Sequence, residues 1–251
     1  FNNMVGVFDL KDGKALGPAT IDGDVGQLQG VATAANGDVW IADNTANHMI
    51  HFPGGDYTQG KRITINGLQA PFGVAVDAQN RVWVSSSYNN KLTVFPGDAP
   101  DQAKTIEVNL GGRGVAIDST GHVWIAQQSN SPQGALPPGA KMPPNIPANA
   151  PQPKTIMEEF EAGAEYLLTN PNITQTGMIG LISPDMKVVQ QDIAEGTAYI
   201  PWGVSVDGND NVWVGNLYGQ SLTHICGVNP ANCPAGKNTG DVIHNHQSGV
   251  I

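Results

Sequence analysis

A hairpin-sized pattern occurs four times along the chain and limits the folds that it can adopt. Each copy begins Gly-Val, and a Trp follows the Gly by ten residues. The four pairs are Gly30 and Trp40, Gly73 and Trp83, Gly114 and Trp124, and Gly203 and Trp213. This pattern is typical of a small apolar strand, a polar turn and a second strand that opens Val-Trp. Its recurrence predicts a repeat protein.

The turn inside each copy predicts a fixed backbone geometry. One equivalent position holds residue types that tolerate a left-handed backbone, namely Gly37, Asn80, Gly121 and Asp210. Three copies place an Asp where the first strand ends, whereas the first copy has Ala34 there. These are Asp77, Asp118 and Asp207. We expect their side chains to accept hydrogen bonds from the amides of the turn.

Further strands follow each hairpin and extend it to a four-stranded unit. Third strands are predicted at residues 49–52, 92–95, 178–182 and 222–226, and fourth strands at residues 62–65 and 105–108. Gly-to-Gly spacings of 43 and 41 residues match a propeller blade. We therefore predict an all-β β-propeller of four-stranded antiparallel blades, with residues 1–251 as a single domain.

The first residues fit the same frame. Residues 4–9 resemble residues 178–183, the third strand of the third full blade, and a turn follows at Asp12 and Gly13. The sequence thus predicts four blades plus the outer half of a fifth. We expect a ring of five to seven blades, completed by more chain or by a partner, because a propeller removes its sheet edges by closing.

One insertion interrupts the third full blade. The spacing from Gly114 to Gly203 is 89 residues, and residues 129–177 form the excess. Eight prolines between Pro132 and Pro153 predict an extended segment. Apolar residues at helical spacing then predict a short amphipathic helix that Thr155 caps; they are Met157, Phe160, Ala164 and Leu167. The insertion is either a lid or docking element, or a passive excursion.

The end of the blades at which the inner strands begin is the candidate binding face. In a four-stranded meander the loop that enters the first strand and the loop that leaves the Trp strand share one end. Candidate ligand- or partner-binding residues at this rim are Gln29, Asp43, Asn44, Phe72, Ser86, Arg113, Gln128, Trp202, Asn216 and Tyr218. Ordinary loop variation is the alternative explanation for the differences among them.

Charge and cysteine content limit the partners and the compartment. A net charge of -10 with only 12 Lys and Arg residues argues against nucleic acid as a partner, and no apolar run is long enough to span a bilayer. Cys226 and Cys233 lie in a segment without zinc-ligand spacing. We therefore predict a disulfide between them and an extracellular or periplasmic location.

The histidines give no complete metal site. His244 and His246 are two residues apart and would share one face of a strand, an arrangement known for zinc and copper ligands, but a third ligand is missing. His48 and His51 are interpreted as structural. We predict no resident cofactor, with a divalent metal ion in the channel as the alternative.

The Pro-Phe-Gly-Val-Ala-Val-Asp segment from Pro71, its Val-Trp-Val continuation and the run from Asn47 to Phe52 resemble NHL-repeat propellers. They also resemble the SMP-30/gluconolactonase-like and virginiamycin B lyase-like families. The resemblance to the SMP-30/gluconolactonase-like family implies a divalent ion held by Glu, Asn and Asp from different blades, and no Glu here matches such a position. The resemblance to the virginiamycin B lyase-like family implies a His beside magnesium, for which His48 is the one equivalent at the rim.

These observations favour an exported scaffold that is not an enzyme and that binds a protein or a small molecule at the face bearing the insertion. A metal-dependent lyase or hydrolase with the insertion as its lid is the first alternative. A structural subunit of an extracellular assembly, self-associating through the incomplete blade, is the second.

Overall fold

The computed structural model describes residues 4–128, 177–198, 200–217 and 221–247. Residues 129–176, which hold most of the expected insertion and its helix, lie outside the described residues. The chain divides into two compact units, residues 1–107 and residues 108–251. No helix in the described part is long and apolar enough to cross a membrane.

Unit 1 contains one two-stranded and two four-stranded antiparallel sheets. The two-stranded sheet consists of β1 (Gly6–Phe8) and β2 (Ala15–Pro18). Blade 1 consists of β3 (Leu28–Thr33), β4 (Val39–Asp43), β5 (His48–Phe52) and β6 (Lys61–Ile63). Blade 2 consists of β7 (Pro71–Val76), β8 (Arg81–Ser86), β9 (Lys91–Pro96) and β10 (Lys104–Glu107).

Unit 2 contains two further four-stranded antiparallel sheets. Blade 3 consists of β11 (Gly111–Ile117), β12 (Val123–Gln128), β13 (Gly177–Ile182) and β14 (Val188–Ile193). Blade 4 consists of β15 (Pro201–Val206), β16 (Val212–Asn216), β17 (Ser221–Ile225) and β18 (Val242–Gln247). Single 3-10 turns occur at Pro53–Gly55, Pro100–Gln102 and Pro230–Asn232.

The strand predictions are confirmed to within two residues at each end. In every blade the strands pair in chain order, as a meander requires. The strand after the insertion, β13, pairs with β12 from Val123 opposite Ile182 to Gln128 opposite Gly177, so it is the displaced third strand of blade 3. The N-terminal segment forms only the two-stranded sheet β1–β2.

The inner hairpins have the predicted turn geometry. The four equivalent turn residues all adopt positive φ, at 92° in Gly37, 58° in Asn80, 85° in Gly121 and 61° in Asp210. The aspartates that precede these turns accept from the turn amides, as in Gln79 N to Asp77 Oδ1 at 3.0 Å. They also do something that the sequence did not indicate, because each accepts a hydrogen bond from the indole of its own repeat. The Nε1–Oδ2 distances are 2.9 Å for Trp83 to Asp77, 3.0 Å for Trp124 to Asp118 and 2.9 Å for Trp213 to Asp207.

One tryptophan in each unit, Trp40 in unit 1 and Trp124 in unit 2, fills the space between two neighbouring sheets. Trp40 is fully buried and packs in one cluster with Val74, Val84 and Phe95 of blade 2. Trp124 is likewise buried and packs with residues of blade 4, including Val212, Val214 and Ile225. In blades 1 and 3 the Trp therefore lies where one blade contacts the next.

A matched pair of threonines tests how blades 2 and 4 satisfy buried hydroxyls. Thr93 lies opposite Val84 in blade 2 and Thr223 lies opposite Val214 in blade 4, and both are fully buried. Thr223 Oγ1 accepts from Asn216 Nδ2 at 2.8 Å. Ser86 stands at the place of Asn216 and is shorter, and Thr93 Oγ1 has no hydrogen-bond partner among the described residues.

We expect Thr93→Val to raise the free energy of unfolding by about 1 kcal/mol, because it removes an unsatisfied buried hydroxyl without changing the volume. Thr223→Val should lower it by about 1 kcal/mol, because the Asn216 amide loses an acceptor. Urea unfolding of the two variants checks the pair. Equal losses of unfolding free energy in both variants would show that the Thr93 hydroxyl has a hydrogen-bond partner in solution.

Candidate functional site

The rim at which the inner strands begin is held closed by backbone hydrogen bonds. In blades 1, 2 and 4 the residue after the Trp strand donates its amide to the carbonyl that lies three residues before the repeat Gly. The distances are 2.8 Å from Asn44 N to Gln27 O, 2.9 Å from Ser87 N to Ala70 O and 3.0 Å from Leu217 N to Ile200 O. The prediction that entry and exit loops share one end of the blade is therefore confirmed.

Side chains at the ends of the Trp strands complete this closure. In blades 1, 2 and 3 the side chain of the residue three positions after the Trp accepts from the amide four positions before the repeat Gly. The bonds run from Gly26 N to Asp43 Oδ2 at 2.9 Å, from Gln69 N to Ser86 Oγ at 3.5 Å and from Leu110 N to Gln127 Oε1 at 3.0 Å. Two expected rim residues, Asp43 and Ser86, are thus fully buried and make structural contacts.

Two amides predicted at the rim also bind within the protein. Asn44 is buried and donates to the carbonyl of Pro71 at 3.1 Å. Asn216 is buried and donates to both Ser221 Oγ and Thr223 Oγ1. Their contacts hold the ends of the inner strands together.

The two aromatic residues that directly precede a repeat Gly, Phe72 and Trp202, follow a strained stretch of backbone. Phe72 and Trp202 each follow a proline that follows a residue of positive φ, 44° in Ala70 and 51° in Ile200. Such a conformation is unfavourable for Ile200 in particular, because its side chain is β-branched. Both aromatic side chains remain partly exposed, as does Gln29 at the same position of blade 1.

In unit 2 the structure brings three of the predicted rim residues together. The Arg113 guanidinium lies 5.5 Å from the centre of the Trp202 ring, a cation–π contact. The Gln128 side-chain amide faces the same guanidinium. With its oxygen turned toward Arg113 it accepts from Nε and Nη2, the latter at 2.7 Å. Arg113 Nη1 also donates to the carbonyl of Gly112 at 3.1 Å.

We call Arg113, Gln128 and Trp202 the Arg–Trp cluster. Arg113 is 7% exposed and Gln128 is 1% exposed, whereas Trp202 is partly exposed. A guanidinium so deeply buried needs several partners, and these interactions fix its position. The guanidinium in turn holds the indole. One signal in the sequence could have predicted the contact: Arg113 and Trp202 both precede the Gly of their repeat, and the inner strands of blades 3 and 4 are neighbours.

Other predicted site residues do not join the cluster. Tyr218 lies outside the described residues. Gln29 and Phe72 belong to unit 1 and are neighbours there, because the carbonyl of Phe72 lies directly over Gly30. The predicted disulfide between Cys226 and Cys233 is confirmed, with a Cα–Cα distance of 5.6 Å.

Five of the six histidines lie on the third and fourth strands of blades 1 and 4, and ring contacts join His51 to Trp40 and both His224 and His246 to Trp213. His51 stacks on Trp40 with ring centres 4.0 Å apart, and its Nε2 lies 3.2 Å from Asp38 Oδ2. Burial alone would raise the pKa of Asp38, but hydrogen bonds from Gly54 N and Asn36 and the nearby His51 together hold it below its ordinary value. Among the described residues, no three His, Cys, Asp or Glu side chains are gathered so as to hold a metal ion.

No protein-family model and no curated protein matches the sequence, but solved structures resemble the fold. Virginiamycin B lyase from Staphylococcus aureus is 14% identical with a TM-score of 0.63, covering 98% of this chain and 63% of that one. A chain of a nidogen–laminin complex is 13% identical with a TM-score of 0.59, covering 98% and 72%. A gluconolactonase from Xanthomonas campestris is 14% identical with a TM-score of 0.56, covering 89% and 62%. The chain has the β-propeller fold.

The predicted propeller and its resemblance to the gluconolactonase-like and virginiamycin B lyase-like propellers are thus confirmed at the level of fold. At 12–14% identity the likeness carries no statement about chemistry. The propeller chain spans less than two thirds of the lyase and gluconolactonase chains, 63% and 62% of them. Function has to be argued from the rim of this chain.

Proposed function

We propose that this chain is a single, exported propeller domain that is not an enzyme and binds a ligand or a protein partner at the rim where the inner strands begin. The Arg–Trp cluster carries the proposal. Its indole is partly exposed while its guanidinium and amide are buried and mutually bonded. An aromatic side chain held in place in this way loses little conformational entropy when it meets a partner.

Residue type supports this interpretation. Trp and Arg are the residues most enriched among the strongest contributors to protein interfaces. Likeness to a chain of a nidogen–laminin complex adds support, since a chain of similar fold occurs there in a complex between proteins. The disulfide between Cys226 and Cys233 supports export, because such bonds persist in oxidising compartments.

The test is a binding comparison between two aromatic variants. The intact chain is screened for binders in two ways, against a small-molecule library by thermal shift and against a mixture of extracellular proteins by capture. For any binder found, we expect Trp202→Ala to weaken affinity about tenfold or more, the range typical of a central aromatic contact. Tyr57→Ala, a similarly exposed aromatic at 36% in the loop between β5 and β6, should leave affinity unchanged. Equal affinities of the two variants would place binding elsewhere.

A metal-dependent lyase or hydrolase is the second candidate. One observation in unit 1 favours it: His48 lies directly opposite Asp43 at the rim end of β4 and β5, and His48 Nδ1 has no hydrogen-bond partner among the described residues. The likeness to the lyase and the gluconolactonase supports it as well. Metal analysis of the purified chain separates the two candidates, because a stoichiometric, tightly held divalent ion favours the enzyme.

A further inference from the structure

Three imidazoles and one indole lie together on one face of blade 4. His224 on β17 is directly opposite Trp213 on β16 and directly opposite His244 on β18. The His224 ring stacks on Trp213 with centres 3.8 Å apart and planes 13° apart. His246, two residues along β18, lies 5.7 Å from Trp213 and 4.1 Å from His244. We call His224, His244 and His246 the histidine cluster.

The inner member of the cluster is placed where a proton is unfavourable. The side chain of His224 is 17% exposed, and its Nε2 is buried without a hydrogen-bond partner among the described residues. Burial lowers the pKa of His224; the Asp207 carboxylate raises it, and the neighbouring His246 and His244 lower it further. The net direction is down, so the folded blade favours the neutral imidazole.

The nearby charged groups do not compensate for the cost of protonating the histidine cluster. Asp207 is the carboxylate closest to the cluster, with Oδ2 3.9 Å from His224 Nε2, and it already accepts from the Trp213 indole and from two turn amides. Lys237 and Asp241 flank the start of β18. Lys237 donates to the carbonyl of Val242, and Asp241 accepts from the amide of Asn238. A protonated cluster would therefore place up to three positive charges against one carboxylate that is already engaged.

The strand that carries two of the three imidazoles is the one able to leave. β18 is the last strand in the sheet order of blade 4 and pairs with β17 alone. The loop before β18 is anchored, because Cys233 is bonded to Cys226 and Gly240 N donates to Cys226 O at 2.9 Å. Any separation of β18 would therefore begin at its His246 end, where both His244 and His246 are exposed.

We propose that the histidine cluster is a proton-operated latch that holds β18 on β17 at neutral pH and releases it in acid. The direction of this pH dependence follows from the lowered pKa of His224 in the folded blade. His224 binds a proton more readily once β18 has left, so pairing is strongest above about pH 6.5, the ordinary pKa of histidine, and weakens as the pH falls below it. Repulsion among the protonated imidazoles acts in the same direction. The latch uses no residue of the Arg–Trp cluster and does not rest on the proposed function.

Hydrogen exchange of the intact chain at pH 7.5 and pH 5.0, corrected for intrinsic exchange, tests the latch. We expect the amides of β17 and β18 to lose protection at least tenfold at the lower pH. Those of β5 and β6 should keep theirs. The double variant His244→Asn, His246→Asn should lose part of this pH dependence, because it removes two of the three charges at exposed positions and leaves the buried His224 in place.

His51→Asn is the matched control. His51 stacks on Trp40 as His224 stacks on Trp213, but the residue opposite it on the outer strand is Lys61, and no second imidazole stacks against either ring in the described part of the chain. The His51→Asn variant should leave the pH response of hydrogen exchange in β17 and β18 unchanged. The latch is overturned if wild-type protection is the same at both pH values, if the double variant responds like the wild type, or if β5 and β6 lose protection to the same extent.

Discussion

Gly114→Ala is expected to lower the free energy of unfolding by about 3 kcal/mol, near the upper end for an overpacked interior site. A Cβ at this position would lie 2.6 Å from the carbonyl oxygen of Trp202 and 2.8 Å from the amide nitrogen of Val204. Both atoms belong to the backbone of β15, so relief requires the inner strands of blades 3 and 4 to move apart. Gly30→Ala should cost a similar amount, because its Cβ would lie 2.4 Å from the carbonyl oxygen of Phe72.

Gly203→Ala is the matched control, since it is the same repeat position in blade 4. Its Cβ would meet no described atom within 4 Å. Alanine loses less chain entropy than glycine when a strand forms, so we expect this variant to change stability by about 0.5 kcal/mol or less in the stabilising direction. Urea unfolding followed by tryptophan fluorescence measures all three. Equal losses at Gly114 and Gly203 would mean that the Gly of the repeat is needed for strand conformation and not for the approach of two blades.

The contrast between these glycines shows why the architecture was predictable from the sequence. The repeat records contacts that recur among the blades, such as the left-handed turn at Asn80 or Asp210 and the Trp between two sheets in blades 1 and 3. Each of these depends on residues less than twenty positions apart or on one repeat meeting the next. A single sequence therefore contains several independent copies of the same physical constraint, and their agreement indicates the fold.

The rim was less predictable because its side chains make contacts that are not repeated. Asp43 and Ser86 occupy the same position after their tryptophans and both clamp a backbone amide, so their different chemistry serves one structural purpose. Arg113 and Trp202 meet across 89 residues of chain, and their shared position before the repeat Gly is the one sequence signal that indicates the pairing. Variation at equivalent positions thus predicted a candidate face, but it did not separate structural residues from exposed ones.

Asp118→Ala carries the other large expected effect, a loss of about 3 kcal/mol in the free energy of unfolding, because several donors are left without an acceptor at once. The Asp118 side chain is buried. Its Oδ1 accepts from the amides of Thr120 and His122, both at 3.0 Å, and from the Thr120 hydroxyl at 2.7 Å. Its Oδ2 accepts from the indole of the fully buried Trp124. One carboxylate therefore joins the turn to the residue that packs between two blades.

Blade 1 supplies the reciprocal experiment, because it has Ala34 at the place of this aspartate. Trp40 Nε1 is buried there and has no hydrogen-bond partner among the described residues. Ala34→Asp should raise the free energy of unfolding by about 1 kcal/mol, since the new carboxylate offers an acceptor to a buried donor that lacks one. The same urea titrations compare the two variants. If Asp118→Ala is nearly neutral while Ala34→Asp destabilises, the indole does not depend on its carboxylate, and burial of the ring alone explains why Trp recurs in the repeat.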